Sequence, residues 1–125
     1  MILVDTSIWV DHLRAKDKRL TALLESALAL THPFVIGELA LGNLRQRSLI
    51  LDALQDLPRA TLAADQEVLQ FIDREGLFGK GIGYVDAHLL ASVRLTADAS
   101  LWTRDKHLLA AAERLAMMAD TPRLP

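Results

Sequence analysis

The sequence of 125 residues contains no cysteine and no long apolar run. The lack of cysteine excludes disulfides, thiolate chemistry and zinc sites of the cysteine type, and it fits a reducing compartment. No apolar stretch approaches the roughly 18 residues that a membrane-spanning helix needs. Asp5 interrupts the apolar N-terminus too early for a secretory signal. These absences predict a soluble, unprocessed protein that is located in the cytoplasm and has no membrane partner.

The chain also lacks an excess of basic residues. Lys and Arg number 14 against 16 Asp and Glu, which gives a formal net charge of −2. This balance argues against broad electrostatic binding of nucleic acid. The objection weakens if several carboxylates converge on divalent cations, because the loaded site then presents a more positive face.

Short apolar runs alternate with helical segments along the whole chain. Branched apolar runs predict strands at residues 2–4, 28–31, 59–63, 100–103 and 117–119. Apolar spacing, caps and stops predict helices at residues 8–13, 18–27, 33–43, 44–57, 65–75, 84–95 and 106–116. The glycine-rich segment 76–83 predicts a loop. We therefore expect one α/β domain over residues 1–125, with a mostly parallel sheet of about four or five strands and helices on both faces.

Four acidic residues occupy positions from which they would reach one shared site. Asp5 and Asp105 follow predicted strands, and ligands of open α/β sheets gather beyond the carboxyl ends of strands. Glu38 interrupts an otherwise apolar helical segment, where a buried carboxylate needs a cation or donors. Asp86 lies in the first turn of a predicted helix. Helix capping, simple exposure of Glu38 and the helix macrodipole are the structural alternatives.

Carboxylates that converge repel one another, and a hard divalent cation bound through oxygen stabilises such a cluster. Mg²⁺ is the expected ion, with Mn²⁺ as a substitute. Such ions lower the pKa of bound water and hold a phosphodiester for in-line attack. The four acids together predict phosphodiester hydrolysis.

Four short motifs, at residues 4–13, 35–42, 86–91 and 101–108, resemble the signatures of the PIN-domain family. Their sequences are VDTSIWVDHL, VIGELALG, DAHLLA and LWTRDKHL, in family order and across essentially the whole chain. Within the family, the chain is most similar to the VapC-type toxins. The resemblance implies a three-layer α/β sandwich and a Mg²⁺- or Mn²⁺-dependent endoribonuclease. It also implies a homodimer and a VapB-type antitoxin, through which alone the protein would contact DNA.

The resemblance also assigns the four acids, which are Asp5, Glu38, Asp86 and Asp105, as the metal ligands. Neighbouring hydroxyl groups are predicted to orient those carboxylates or ligand water, with helix capping as the alternative. These hydroxyl residues are Thr6, Ser7 and Thr103.

Basic residues near the acids are candidates for contacts with RNA phosphates. Arg104 and Lys106 flank Asp105, and a second basic cluster lies at residues 14–19. A solvated face is the alternative for both groups. The histidines lack metal-protease spacing and are predicted to be structural or surface groups. The aromatic residues predicted to pack in the core are Trp9, Phe34, Phe71 and Trp102.

Two other functional classes remain open. One is a catalytically silent PIN-like module that binds RNA or a protein, although the complete set of four acids argues against it. The other is a phosphoacceptor domain of receiver type, which is also a small α/β sheet with acids and magnesium. The chain lacks the late-strand lysine and the early acidic pair that such a domain needs.

Overall fold

The computed structural model describes residues 1–120, which form three strands and seven helices. The strands are β1 (Ile2–Val4), β2 (Ala29–Leu30) and β3 (Ser100–Trp102). The helices are α1 (Thr6–Arg14), α2 (Lys18–Glu25), α3 (Pro33–Ala40), α4 (Arg47–Gln55), α5 (Asp65–Glu75), α6 (Tyr84–Leu95) and α7 (Lys106–Arg114). Their order along the chain is β1-α1-α2-β2-α3-α4-α5-α6-β3-α7. The last five residues of the predicted domain lie outside the described residues.

The strands form one parallel sheet in the order β2-β1-β3. Ile2 pairs with Ala29 on one side and with Ser100 on the other. Successive side chains of a strand point to opposite faces, and Leu3 and Val4 are both fully buried. Both faces of the sheet are therefore covered, and the predicted α/β sandwich with a parallel sheet is confirmed.

The sheet has fewer regular strands than the four or five predicted. Residues 59–63 and 117–119 each contribute only one isolated bridge, Arg59 to Thr31 and Met118 to Leu101. After the bridge of the first segment, the Thr61 amide donates to the Thr96 hydroxyl at 2.8 Å. Each segment adds a short parallel edge and no full strand.

Several helix boundaries differ from the prediction. Because Asp5 caps α1, that helix begins at Thr6, and α2 and α7 end two residues earlier than expected. The predicted helices 33–43 and 44–57 are separated by an irregular segment, 41–46. Gln46 at the end of this segment has a left-handed backbone (φ 51°), which interrupts helical geometry. Among residues 1–120, no helix is long and apolar enough to span a membrane.

Candidate active site

Asp5 lies directly after β1 and is held by three donors on one oxygen. Its side chain caps α1, and the residue is only 6% exposed. Oδ2 accepts hydrogen bonds from the Ser7 amide (3.3 Å), the Ser7 hydroxyl (2.6 Å) and the Thr103 hydroxyl (2.8 Å). Two of the three hydroxyl residues singled out in the sequence, Ser7 and Thr103, thus contact this carboxylate.

Thr103 also connects Asp5 to Asp105. Its hydroxyl oxygen accepts from the Asp105 amide at 3.0 Å, and Asp105 Oδ1 caps α7 by accepting from the Leu108 amide at 3.0 Å. This connection arises because β1 and β3 are parallel neighbours, so the turns that follow them meet at one edge of the sheet. We call Asp5 and Asp105 the strand-end acids.

Glu38 and Asp86, the helix-borne acids, approach the same edge from α3 and α6. Glu38 is exposed, and its Oε1 accepts from the Thr6 hydroxyl at 2.7 Å. Among residues 1–120, the Gly83 amide alone donates to Asp86 Oδ2, at 3.3 Å. Burial raises the pKa of Asp86, and the negative charges of Asp5, Asp105 and Glu38 raise it further. The other three carboxylates therefore lie within electrostatic reach of Asp86.

The donor set suits a hard divalent cation. Each of the four carboxylates engages one oxygen with protein donors and leaves the other without a hydrogen bond from residues 1–120. The oxygens left in this way are Asp5 Oδ1, Glu38 Oε2, Asp86 Oδ1 and Asp105 Oδ2. Mg²⁺ and Mn²⁺ prefer such carboxylate oxygens. Within the described part of the chain, no group of three or more acids or histidines already has the arrangement of a metal centre.

Arg104, a predicted phosphate contact, is engaged by two other side chains. One guanidinium nitrogen contacts Asp11 Oδ2 on α1, and the other lies 2.8 Å from Asp17 Oδ2 at the cap of α2. Its backbone amide donates to the Ser7 hydroxyl at 3.1 Å. Lys106, by contrast, is exposed and forms no ion pair with residues 1–120. The basic side chains of Arg104 and Lys106, which the sequence grouped together, thus differ in the structure because only Arg104 is paired with carboxylates of residues 1–120.

An aromatic cluster that sequence reasoning missed joins α3 to α6, the helices of the helix-borne acids. His32 caps α3, with Nδ1 accepting from the Phe34 amide at 3.0 Å. The Phe34 ring packs edge-on against His32 and His88, with centroid distances of 5.1 and 4.7 Å. Tyr84 packs against His88 at 4.6 Å. Burial, aided by the charges of His88 and Arg59, lowers the pKa of His32 to about 4. The signal available in the sequence was the position of Phe34, an apolar residue two positions after His32 at the start of a helix.

Residues 2–114 match the PIN domain, and the chain belongs to the PIN-domain family. Ribonuclease VapC32 of Mycobacterium tuberculosis (strain ATCC 25618 / H37Rv) is 53% identical over 111 residues, covering 89% of this chain and 90% of the relative. Ribonuclease VapC32 of strain CDC 1551 / Oshkosh matches to the same extent. No solved structure shows a significant match. The resemblance to VapC-type PIN ribonucleases is thereby confirmed.

Proposed function

We propose that this protein is a Mg²⁺- or Mn²⁺-dependent endoribonuclease and the toxin of a toxin–antitoxin pair. The observation that carries the proposal is the set of four neighbouring carboxylates, each of which leaves one oxygen without a hydrogen bond from residues 1–120. A divalent cation would stabilise that arrangement. The relationship to a protein named as a ribonuclease supports RNA as the substrate.

The four acids would hold the ion through the oxygens that the protein leaves without donors, directly or through water. A bound ion lowers the pKa of its water ligand and stabilises charge on the phosphodiester. Ser7 and Thr103 hold the buried carboxylate of Asp5, and Thr6 holds that of Glu38. These hydroxyl groups fix the direction in which each carboxylate presents its remaining oxygen. Lys106 is free to contact a phosphate.

The same proposal includes a VapB-type antitoxin, a homodimer and a cytoplasmic location. The name of the relative supports the antitoxin. Exposed apolar side chains are available for contacts with protein partners: Leu41 is 91% exposed, Phe78 69% and Leu49 64%. Contact with DNA would come through the antitoxin alone.

The first test is RNA cleavage by Asp86→Asn, matched with Asp73→Asn, which removes an exposed carboxylate on α5. We expect metal-dependent cleavage to fall roughly a hundredfold to a thousandfold in Asp86→Asn, as for loss of one preorganised electrostatic group. The control should cleave normally, and Asp5→Asn should behave like Asp86→Asn. Undiminished cleavage by either site variant would refute the assignment.

Metal binding has a separate readout in thermal stability. Because the folded-state pKa of Asp86 is raised above 3.8, its contribution to stability is complete below pH 3.8 and is lost as the pH rises through the folded pKa. A bound Mg²⁺ or Mn²⁺ would offset this loss, so the ion should raise Tm at pH 7.5 and have little effect near pH 4. Asp86→Asn should be more stable than the parent without metal and should respond less to it. Equal metal-induced shifts in both proteins would contradict the metal site.

A further inference from the structure

An open cleft of about 640 Å³ lies between α1 and the segment that joins α3 to α4. Its volume falls within the range of small-molecule sites, roughly 300–1,000 Å³. Apolar side chains of α1, α3 and α4 form much of the wall, including Val10, Leu13 and Leu39. The cleft therefore offers an apolar surface with polar groups around it.

The cleft is continuous with the acidic site through Glu38. This side chain lines the cleft, while its Oε1 accepts a hydrogen bond from Thr6, the residue after Asp5. A polymer whose phosphodiester lies at the four acids and whose chain extends past Glu38 would enter the cleft.

Two arginines of the cleft have no protein partner within residues 1–120. Arg14 and Arg45 are exposed, and neither forms an ion pair or donates a side-chain hydrogen bond there. Arg104 and Arg47 differ, because Arg104 contacts two carboxylates and Arg47 donates to the Ala40 carbonyl at 3.0 and 3.3 Å. Unpaired guanidinium groups beside a phosphodiester site are suited to flanking phosphates.

Two amide side chains, Asn43 and Gln46, also line the cleft. An amide presents a donor and an acceptor together and can pair with the edge of a base. Single-stranded RNA can turn its bases outward onto such groups, whereas the bases of a duplex remain stacked and paired. The rim that carries both amides is anchored, because Arg47 ties α4 back to the end of α3.

We propose that this cleft binds nucleotides of single-stranded RNA next to the cleaved phosphodiester. Arg14 and Arg45 contact their phosphates, and Asn43 and Gln46 select their bases. The assignment rests on the proposed ribonuclease function and deepens it by placing substrate selection beside Glu38.

The decisive experiment measures binding and does not require cleavage. A fluorescent single-stranded RNA oligonucleotide is titrated at several salt concentrations with Asp86→Asn protein that carries either Arg14→Ala/Arg45→Ala or the control Arg59→Ala/Arg74→Ala. The control removes two exposed arginines that do not line the cleft. We expect the log–log salt slope to fall by about 1.4 for the cleft variant, or about 0.7 per phosphate contact, and to stay unchanged for the control. An unchanged slope in the cleft variant would overturn the proposal and leave the cleft to a protein partner.

Base selection is tested in the active protein by sequencing the RNA ends it generates. Asn43→Ala/Gln46→Ala should reduce the preference for the favoured base by roughly tenfold, while Gln66→Ala/Gln70→Ala, on α5, should keep the parent pattern. The same distribution of cut sites in parent and cleft variant would overturn base selection. If the parent protein cleaves no RNA, the proposed function fails, and the binding experiment still decides whether the cleft holds RNA.

Discussion

The strand-end acids and the helix-borne acids meet at one edge of the sheet but are supported in different ways. Asp5 is buried and receives three hydrogen bonds on one oxygen. Glu38 receives a single hydroxyl, and Asp86 a single amide at 3.3 Å. Protein donors therefore stabilise the negative charge of Asp5 more than that of Asp86, which a cation would offset under the proposed function.

The strand-end acids and the helix-borne acids, which form the two halves of the site, also depend on different parts of the fold. The strand-end acids are placed by the turns after β1 and β3, whose pairing fixes their separation. The helix-borne acids depend on the placement of α3 and α6, which are joined by the aromatic cluster of His32, Phe34, His88 and Tyr84. Substitutions in the turns and substitutions in the cluster should therefore have different effects on stability and cleavage.

The largest expected effect is a loss of folding stability at low pH, caused by protonation of His32 in the aromatic cluster. The pKa of His32 is lowered from 6.5 to about 4, so the folded protein resists a proton that the unfolded chain accepts. The lowered pKa of His32 therefore contributes about 3 kcal/mol to the free energy of unfolding above pH 6.5. This contribution is lost as the pH falls towards 4. Urea unfolding between pH 7 and 4 should show this decline.

The matched variants for this test are His32→Asn and His107→Asn. Asparagine can still cap α3, although the loss of the ring lowers stability at every pH. The readout is therefore the pH dependence, which should flatten in His32→Asn and remain in His107→Asn, where the replaced histidine is exposed. Parallel pH curves for the parent and His32→Asn would remove His32 as the cause.

A smaller effect is expected from two isosteric substitutions, one beside the strand-end acids and one beside Glu38. Thr103→Val deprives buried Asp5 of a donor and the Asp105 amide of its acceptor. We expect a loss of about 1–3 kcal/mol in unfolding free energy and a roughly 10–100-fold loss of RNA cleavage. Thr6→Val removes only the more exposed bond to Glu38, so its stability should change by less than about 0.5 kcal/mol.

Denaturant unfolding and initial cleavage rates, measured on both threonine variants, check this contrast. Losses of equal size in Thr6→Val and Thr103→Val would mean that the two halves do not differ in their support. A loss of stability in Thr103→Val without any loss of cleavage would leave its hydroxyl a purely structural role.

The sequence could predict much of the strand-end half, because its geometry follows from local patterns. An acid after a branched apolar run is followed by hydroxyl residues that reach back to it, as Ser7 does to Asp5. Neighbouring parallel strands then bring Thr103 and Asp105 alongside. Glu38 was visible as a lone charge in an apolar segment. Its contact with Thr6 was not, because it depends on how α3 packs against α1.

The cleft and the shortened sheet were beyond prediction from periodicity. Apolar residues continue at helical spacing through residues 41–46, so the pattern gave no sign of the left-handed backbone at Gln46. Similarly, residues 59–63 and 117–119 have the composition of strands, but only one residue of each forms a bridge. In the first of these segments, the Thr61 amide donates to the Thr96 hydroxyl, a tertiary contact that periodicity does not reveal.

The smallest effect concerns Arg104, which the sequence grouped with Lys106 as a phosphate contact. In the structure, Asp11 and Asp17 engage its guanidinium at the surface, so Arg104→Ala should cost only about 0.5–1 kcal/mol of stability. Because its charge is already paired, the salt slope of RNA binding should stay unchanged, whereas Lys106→Ala should lower it by about 0.7. Salt titrations of both variants with single-stranded RNA make the comparison. A drop of that size in Arg104→Ala would show that RNA displaces the two carboxylates, and the strand-end half would then bind substrate as well as metal.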